Sequence, residues 1–356
     1  MKIFVINPGS TSTKLALYED EKQLWINNVH HPVNELTAFR HINEQYEYRK
    51  QYILNTLKEA GIPLTFDAII ARGGLLKPTP GGVYAVNEAM KEDLFHATME
   101  HASNLGGLIA DEMAKVCHCP AYIADPVVVD ELIPEARLTG IPEINRISIF
   151  HALNSKAVSH KYAASIGKHY EDLNIIVVHM GGGISVSAHC KGKVIDVNNA
   201  LNGDGPFSPE RAGTIPAGQL AELCFSGKYT LAQIKKMLNG KGGLTAHLGE
   251  TDMRAIAAEA EAGKEPYKHV LDTMLYTVAK EAGARYVSLR GEVDAIILTG
   301  GIAYSAYCVK VLRSWIECLG PIVLMPGEDE MGSLAFNALG ALKGTLPLQV
   351  YQSLES

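Results

Sequence analysis

Short apolar runs separated by polar or glycine-rich turns open the chain. Ile3-Phe4-Val5-Ile6 is closed by Asn7-Pro8-Gly9, and the turn-forming Ser10-Thr11-Ser12-Thr13 leads into Lys14-Leu15-Ala16-Leu17-Tyr18. After the charged Glu19-Asp20-Glu21-Lys22 comes a third run, Leu24-Trp25-Ile26. Strand, polar turn, strand, charged turn and strand predict an antiparallel meander. Over residues 35–60 the apolar positions fall at helical spacing (Leu36, Phe39, Ile42, Tyr46, Ile53, Leu57), which predicts one helix closed by Gly61. Asp67-Ala68-Ile69-Ile70-Ala71 reads as a buried strand ending at Arg72-Gly73-Gly74. Helical stretches then alternate with short strands such as Ala121-Tyr122-Ile123-Ala124, which is α/β behaviour.

The grammar of the opening returns at residue 175. Ile175-Ile176-Val177-Val178-His179-Met180 runs into Gly181-Gly182-Gly183, Ile184-Ser185-Val186-Ser187-Ala188 returns, and Lys191-Gly192-Lys193 leads to Val194-Ile195. A repeat separated by about half the chain implies a duplicated domain. The amphipathic stretch 151–170 is the natural join, with no Pro/Ser-rich linker to mark it. The expected domains are therefore 1–147 with a returning 331–356, and 148–330. Val293-Asp294-Ala295-Ile296-Ile297-Leu298-Thr299 predicts a strand ending in Gly300-Gly301, followed by a helix over 307–319, the strand Ile322-Val323-Leu324-Met325 and a last helix over 331–343. The fold class is α/β, in two related domains whose glycine turns are expected to face one cleft.

Composition narrows the function classes. A chain of 356 residues, 47% hydrophobic and 20% charged, builds large cores and is not disordered. With 32 Lys+Arg against 39 Asp+Glu the net charge is −7, leaving no cationic excess to neutralise nucleic-acid or membrane phosphates. An anionic substrate must instead meet a local positive site. The six cysteines are scattered, and Cys117-His118-Cys119 lacks the second ligand pair of a zinc pattern. The apolar run after Lys2 stops at Asn7, too short for a signal-peptide core, and no apolar stretch reaches the ~18 residues of a membrane span. A cytoplasmic protein with reduced thiols is expected.

A glycine at a strand end permits positive φ and lets backbone N–H groups approach a ligand. A single such turn, Gly181-Gly182-Gly183 included, is more often a tight hairpin than a phosphate site; several together can cradle a polyphosphate. There is no G-x-x-x-x-G-K-[ST] and no G-x-G-x-x-G opening a helix after the first strand, which argues against a Walker-type ATPase and a dinucleotide-binding domain. The hydroxyl-rich turn with a lysine, the triple glycine and the late Leu298-Thr299-Gly300-Gly301 together resemble the acetate and sugar kinase, Hsp70 and actin superfamily. Asn7-Pro8-Gly9-Ser10-Thr11-Ser12-Thr13-Lys14 is similar to the amino-terminal signature of the acetokinase family. Ser159-His160-Lys161-Tyr162, followed by His179-Met180-Gly181-Gly182-Gly183, resembles that family's second signature block. Pro209-Glu210-Arg211-Ala212-Gly213, Thr251-Asp252-Met253-Arg254 and Leu298-Thr299-Gly300-Gly301-Ile302 complete the series in order, over essentially the whole chain. Ala71-Arg72-Gly73-Gly74-Leu75-Leu76-Lys77-Pro78, Ile149-Phe150-His151-Ala152-Leu153-Asn154 and the modest length resemble the family's butyrate branch rather than its acetate branch.

The resemblance implies two ribonuclease H-like (actin-like) domains clamping ATP, and reversible in-line phosphoryl transfer from ATP to butyrate or a branched analogue. It implies that Arg72 holds the carboxylate while Arg211 and His160 stabilise the phosphoryl oxygens in transit. Asn7, Ser10, Ser12, Lys14, His179, Gly181, Gly182, Gly183, Asp252, Arg254, Gly300 and Gly301 would surround the nucleotide, and Asn7 and Glu330 would hold Mg2+. The partners implied are a small carboxylate and its acyl phosphate, with a homodimer or larger homo-oligomer as a family-level expectation. A carboxylate of pKa ~4–5 is already ionised at neutral pH, so no general base is needed. Catalysis then reduces to positioning plus positive charge, for which the planar fork of arginine is suited.

Plainer readings stand beside these roles. His160 equally suits a helix core, Arg211 a pair with Glu210 or Asp204, Glu330 a solvated acidic turn with Glu328 and Asp329, and Asp252 a helix N-cap. Three positions depart from the family pattern: Ile147 stands where the acetate branch carries an aspartate four residues before the histidine of its Phe-His pair, Gly182 replaces an asparagine, and Ala303 replaces a glycine. Two extra methylenes are worth ~1.6 kcal/mol, or roughly 15-fold, so acids of neighbouring length should overlap as substrates. The alternatives are an acetate or propionate kinase, and an ATP-binding regulatory module of the actin or Hsp70 kind.

Overall fold

Twelve strands are present among residues 1–97 and 100–353, which a computed structural model describes. They are β1 (Lys2–Pro8), β2 (Ser12–Glu19), β3 (Lys22–His30), β4 (Ala68–Arg72), β5 (Val83–Ala85), β6 (Ala121–Ala124), β7 (Asn174–Met180), β8 (Ile184–Cys190), β9 (Lys193–Val197), β10 (Ala295–Thr299), β11 (Ile322–Leu324) and β12 (Leu348–Val350). The chain divides into two units. Met1–Val129, Ala152–Asn154 and Asp329–Ser356 form the first; Asp130–His151 and Ser155–Glu328 form the second.

Residues 130–147, expected with the amino-terminal domain, thus belong to the second unit. Main-chain and side-chain bonds hold them to β9: Val194 N–H donates to Glu131 (2.7 Å), Ile133 N–H to Ile195 O (3.0 Å), and Arg146 reaches Asp196 at 2.9 Å.

The first unit is built on a seven-stranded sheet in the order β12-β5-β6-β4-β1-β2-β3. β1, β2 and β3 form the antiparallel meander, while β4 runs parallel to β1 and β6 parallel to β4. Alternate residues of β1 bury both faces of the sheet: Phe4 and Ile6 pack with Ile53, Leu105 and Ile109, while Ile3 and Val5 pack with Leu334, Ala335 and Ala338 of the returning helix Glu330–Lys343. The single helix expected over 35–60 is broken. A short helical turn, Val33–Leu36, is separated from the helix Tyr46–Glu59, which is entered through a 3-10 turn, Ile42–Gln45, where the Glu44 carboxylate accepts the Arg40 N–H (2.8 Å) and the His41 N–H (3.4 Å).

The second unit carries a five-stranded sheet in the order β11-β10-β7-β8-β9. β7, β8 and β9 repeat the meander, and β10 lies parallel to β7 as β4 does to β1. The two sheets therefore share one order around their first hairpin, the structural counterpart of the internal repeat. Ile176, Val178 and Met180 pack under Leu271, Met274, Leu275 and Val278 of the helix Tyr267–Ser288. On the other face, Ile175 and Val177 meet Val158 and Ala163 of the helix Ala152–Ser165. Among the described residues no helix is long and apolar enough to cross a membrane.

Candidate active site

In open sheets with parallel strands, ligand-binding groups gather at the carboxyl ends of those strands. The first unit follows this rule. The register Ile6↔Ala71 and Arg72↔Ala124 sets Asn7, Arg72 and Asp125 side by side at the ends of β1, β4 and β6. Glu330, at the first turn of the helix capped by Asp329, binds two of them: its carboxylate pairs with Arg72 Nη1 at 3.0 Å and accepts from Asn7 Nδ2 at 2.7 Å. Asn7 is buried, whereas Arg72 and Glu330 keep partial access to solvent. The solvated-turn reading of Glu330 therefore does not describe it, while Asp329 is occupied as the helix cap, accepting from Gly332 N–H at 2.8 Å.

Asp125 carries no signal in the sequence except its place after an apolar strand. It is buried, adopts φ 38° and accepts the Gly82 N–H at 2.8 Å. A non-glycine residue held at positive φ at such an edge is a candidate for a functional position. Ile147, whose side chain replaces an aspartate in the compared pattern, is exposed; the buried carboxylate at this edge is Asp125. Lys14, Ser10 and Ser12 belong to the first hairpin, where Lys14 is exposed opposite Asn7.

The second unit supplies histidines, glycines and Arg211. His179, near the end of β7, is fully buried, with Nε2 against the Glu328 carboxylate. The ring of His151 stacks on it with centroids 3.9 Å apart and planes inclined by 7°, and His151 Nδ1 meets Ser185 Oγ at 2.7 Å. His151, His179 and Glu328 offer ligand atoms within 4.8 Å of one another. Imidazole lone pairs lie in the ring plane, so two parallel stacked rings cannot both direct one at a single ion. This group is therefore poorly arranged for a metal.

The Gly181–Gly183 turn is closed by a Gly181 N–H to Gly183 O bond of 3.0 Å, and Ser208 Oγ donates to Gly182 O at 2.7 Å. Gly183 is required by close approach: a Cβ there would overlap the Arg211 guanidinium. Arg211 is held by a bond from Nη1 to Ala200 O. Burial lowers its pKa, opposed in part by Glu210. Among the described residues it forms no ion pair with Glu210 or Asp204; Asp204 lies instead 3.5 Å from Arg146.

At the end of β10, Gly300 adopts φ +84°, and a Cβ there would run into the Met180 backbone. It pairs through both main-chain groups with Gly327, at 3.1 and 2.9 Å, while the space beside Gly301 is open. Asp252 caps the helix Met253–Glu261, accepting the Arg254 N–H at 2.8 Å, and both residues are exposed.

His160 is not brought to this set. It follows His151 by nine residues, about 13 Å along the helix. Its ring packs edge-on against Tyr170 at 4.6 Å, and Tyr170 in turn bonds to His189, which bonds to Ser187. The pairings Ile175↔His189 and His179↔Ser185 put that network at the opposite end of β7 from His179. Burial, with help from Lys156, lowers the His160 pKa against the pull of Glu171. The histidine that the fold brings to His179 is His151, from the Phe-His pair.

Comparisons with known proteins identify the family. Residues 143–323 match the model of the acetokinase family. A probable butyrate kinase of Phocaeicola vulgatus is 77% identical over 352 residues, covering 99% of each chain. Butyrate kinase 1 of Clostridium acetobutylicum is 48% identical over 353 residues, again 99% of each. Among solved structures, the acetate kinase of Porphyromonas gingivalis superposes with a TM-score of 0.78 at 18% identity, over 96% of this chain and 99% of that one. A propionate kinase from Francisella tularensis gives 0.72 at 20% identity, over 94% and 98%. With a duplicated actin-like fold, a carboxylate-bridged arginine and full-length relatives of this kind, the chain belongs to the acetokinase family.

Proposed function

We propose that this protein transfers the γ-phosphoryl group of ATP to butyrate or a close short-chain analogue, giving the acyl phosphate and ADP, and runs the reaction in both directions. Arg211 carries the reading: a half-buried guanidinium that among the described residues pairs with no carboxylate, bonded to a main-chain carbonyl and packed on a glycine turn, suits an external anion. The curated relatives at 77% and 48% identity are named for butyrate, which favours the longer acid over acetate.

The reaction joins two anions, so the chain's cations do the work. Arg72 holds the substrate carboxylate by its fork, exchanging Glu330 for the incoming acid. Arg211, with His151 held in place by stacking on the buried His179, meets the equatorial oxygens of the moving group and stabilises charge as it spreads. The Ser10–Ser12 turn with Lys14, and the Gly181–Gly183 turn, offer N–H and ammonium groups to the nucleotide's phosphates. The open face at Gly301 suits adenosine. Asp125, held rigidly at the strand end, orients the acid rather than removing a proton, since the acid has none to lose. Glu330 and Asn7 offer the few hard oxygens that Mg2+ takes from proteins in phosphoryl-transfer sites, with water filling the rest. When bound there, Mg2+ would neutralise phosphate charge.

Trapping the acyl phosphate with hydroxylamine across C2–C6 acids tests this reading. Hydroxamate is expected from C3–C5 acids with butyrate or a branched C4–C5 acid foremost, and Arg72→Ala should raise the KM for the acid. A tenfold preference for acetate would favour the acetate kinase reading, and the absence of hydroxamate from every acid would leave only a regulatory ATP-binding module.

A further inference from the structure

The helix Tyr46–Glu59 buries an arginine completely. Arg49 has no exposed surface, and among the described residues it pairs with no carboxylate. Its bonds go almost wholly to one turn. Nη1 donates to Gly9 O at 2.8 Å and Ser12 O at 3.3 Å, Nη2 to Ser10 O at 2.8 Å, Nη1 again to Thr13 Oγ1 at 3.3 Å, and Nε to Gln45 Oε1 at 3.0 Å. His31 completes the inner side: its N–H donates to Thr11 O at 2.9 Å and its Nε2 meets Thr13 Oγ1 at 2.8 Å. Four consecutive carbonyls, from Gly9 to Ser12, are thus turned into the protein.

A trans peptide sets the carbonyl of one residue and the N–H of the next on opposite sides. With the Gly9 and Ser10 carbonyls drawn inward, the Ser10 and Thr11 N–H groups face outward, and among the described residues neither has a protein acceptor. Successive outward amides form an anion-binding concavity. The second hairpin turn, Gly181-Gly182-Gly183, is closed by its own Gly181 N–H to Gly183 O bond; the first, Ser10-Thr11-Ser12, is held from within by Arg49. Burial draws the Arg49 pKa down to about 10, so it stays charged at neutral pH.

We propose that Arg49 is a positioning residue for the nucleotide's phosphates: it gathers the carbonyl oxygens of the first hairpin turn on the inner side, so that the turn presents its amides outward with a fixed positive charge behind them. This rests on reading that turn as a phosphate hairpin. Arg49 touches no reacting atom and acts through the turn.

The test compares the full-length Arg49→Ala and Arg49→Lys variants with the wild type, after thermal melting shows that each is folded. Binding of ADP and of adenosine is measured by calorimetry, and KM for ATP and for butyrate by hydroxamate formation. Arg49→Ala should weaken ADP about 10- to 100-fold and raise the KM for ATP in step, with adenosine affinity and the KM for butyrate within about twofold. Added methylguanidinium should restore part of the ADP affinity. Equal loss of ADP and adenosine would reduce Arg49 to a general structural role and overturn the proposal, as would a folded variant with wild-type ADP affinity. If Arg49→Ala does not fold, Arg49→Lys decides: it keeps the charge but cannot span the carbonyls, so unchanged ADP affinity in it refutes the idea. A wild type that neither binds ADP nor yields hydroxamate sinks the kinase reading itself, whereas an active wild type with indifferent Arg49 variants sinks this inference alone.

Discussion

Gly183→Ala places a single methyl group where the Arg211 guanidinium lies. The built Cβ overlaps Nη1 and Cζ and stands 3.1 Å from Nη2, so the guanidinium has to leave its place. No positive φ is involved, so alanine suits the backbone there and the fold should survive. A misplacement of about 1 Å in a positioned group costs roughly 10²-fold in rate, which corresponds to ~2.7 kcal/mol at the transition state. Complete removal of the cation, in Arg211→Ala, should cost ~10²–10⁵. The assay is the initial rate of hydroxamate formation under saturating ATP and butyrate, with melting temperature as the control for folding. The decisive comparison is a double-mutant cycle. If Gly183 matters because it makes room for Arg211, then Gly183→Ala should cost less than about threefold in the Arg211→Ala background. Should it cost the full 10²-fold there too, the two residues act independently and the proposed packing relation is wrong.

Other outcomes follow from the same geometry. Gly300→Ala combines a strained φ with a clash against the Met180 backbone and should lower unfolding stability by about 3 kcal/mol or more, read from a urea melt. Glu330→Gln removes the charge that bridges Asn7 and Arg72, and should raise the Mg2+ needed for half-maximal rate roughly tenfold, read by titrating activity against Mg2+. His160→Gln should keep kcat within about threefold, while His151→Gln and His179→Gln should each lower it tenfold or more, the reverse ranking restoring His160 to the site. Burial first, then Arg49, pushes the His31 pKa down to about 4 from 6.5. The unfolded chain then binds that proton more tightly, so this contribution is complete above pH ~6.5 and falls away toward pH 4, by about 2 kcal/mol between pH 7 and 5. Urea midpoints of the wild type and His31→Gln at those two pH values should differ in slope, and parallel slopes would show that His31 is not the group responsible.

What could be read along the chain was local or periodic. The two meanders, the strands ending at Arg72 and Thr299, and the glycine turns announce themselves through β-branched runs and small residues, and the repeat fixes the two-domain α/β class. What escaped was set by distant pairing. The place of 130–147 depends on Glu131 and Arg146 finding β9, 63 and 50 residues later, which no window of sequence contains. The helix expected over 35–60 begins anew at residue 42, where the Glu44 carboxylate caps the Arg40 and His41 N–H groups, a start that apolar spacing does not register. His160 was favoured by a short match of residue types, yet nine residues of helix carry it away from His179, and Phe150-His151 supplies the ring instead. Asp125 gave no sign, because a buried carboxylate after a strand looks like any polar strand end until the neighbouring strands are aligned.

The first unit is assembled from both extremities of the chain: β1 is covered by the helix Glu330–Lys343, and β12 adds to the sheet through β5. During synthesis on the ribosome, the strands made first must wait, one face bare, while the whole second unit is produced and can settle ahead of them. A ribosome that stalls before residue 329 therefore leaves a half-covered sheet rather than a shorter enzyme. Because Glu330 begins the segment that closes the sheet, the event that completes the core also delivers the carboxylate that joins Asn7 to Arg72. Quality control on the fold and competence of the site are reached in one step.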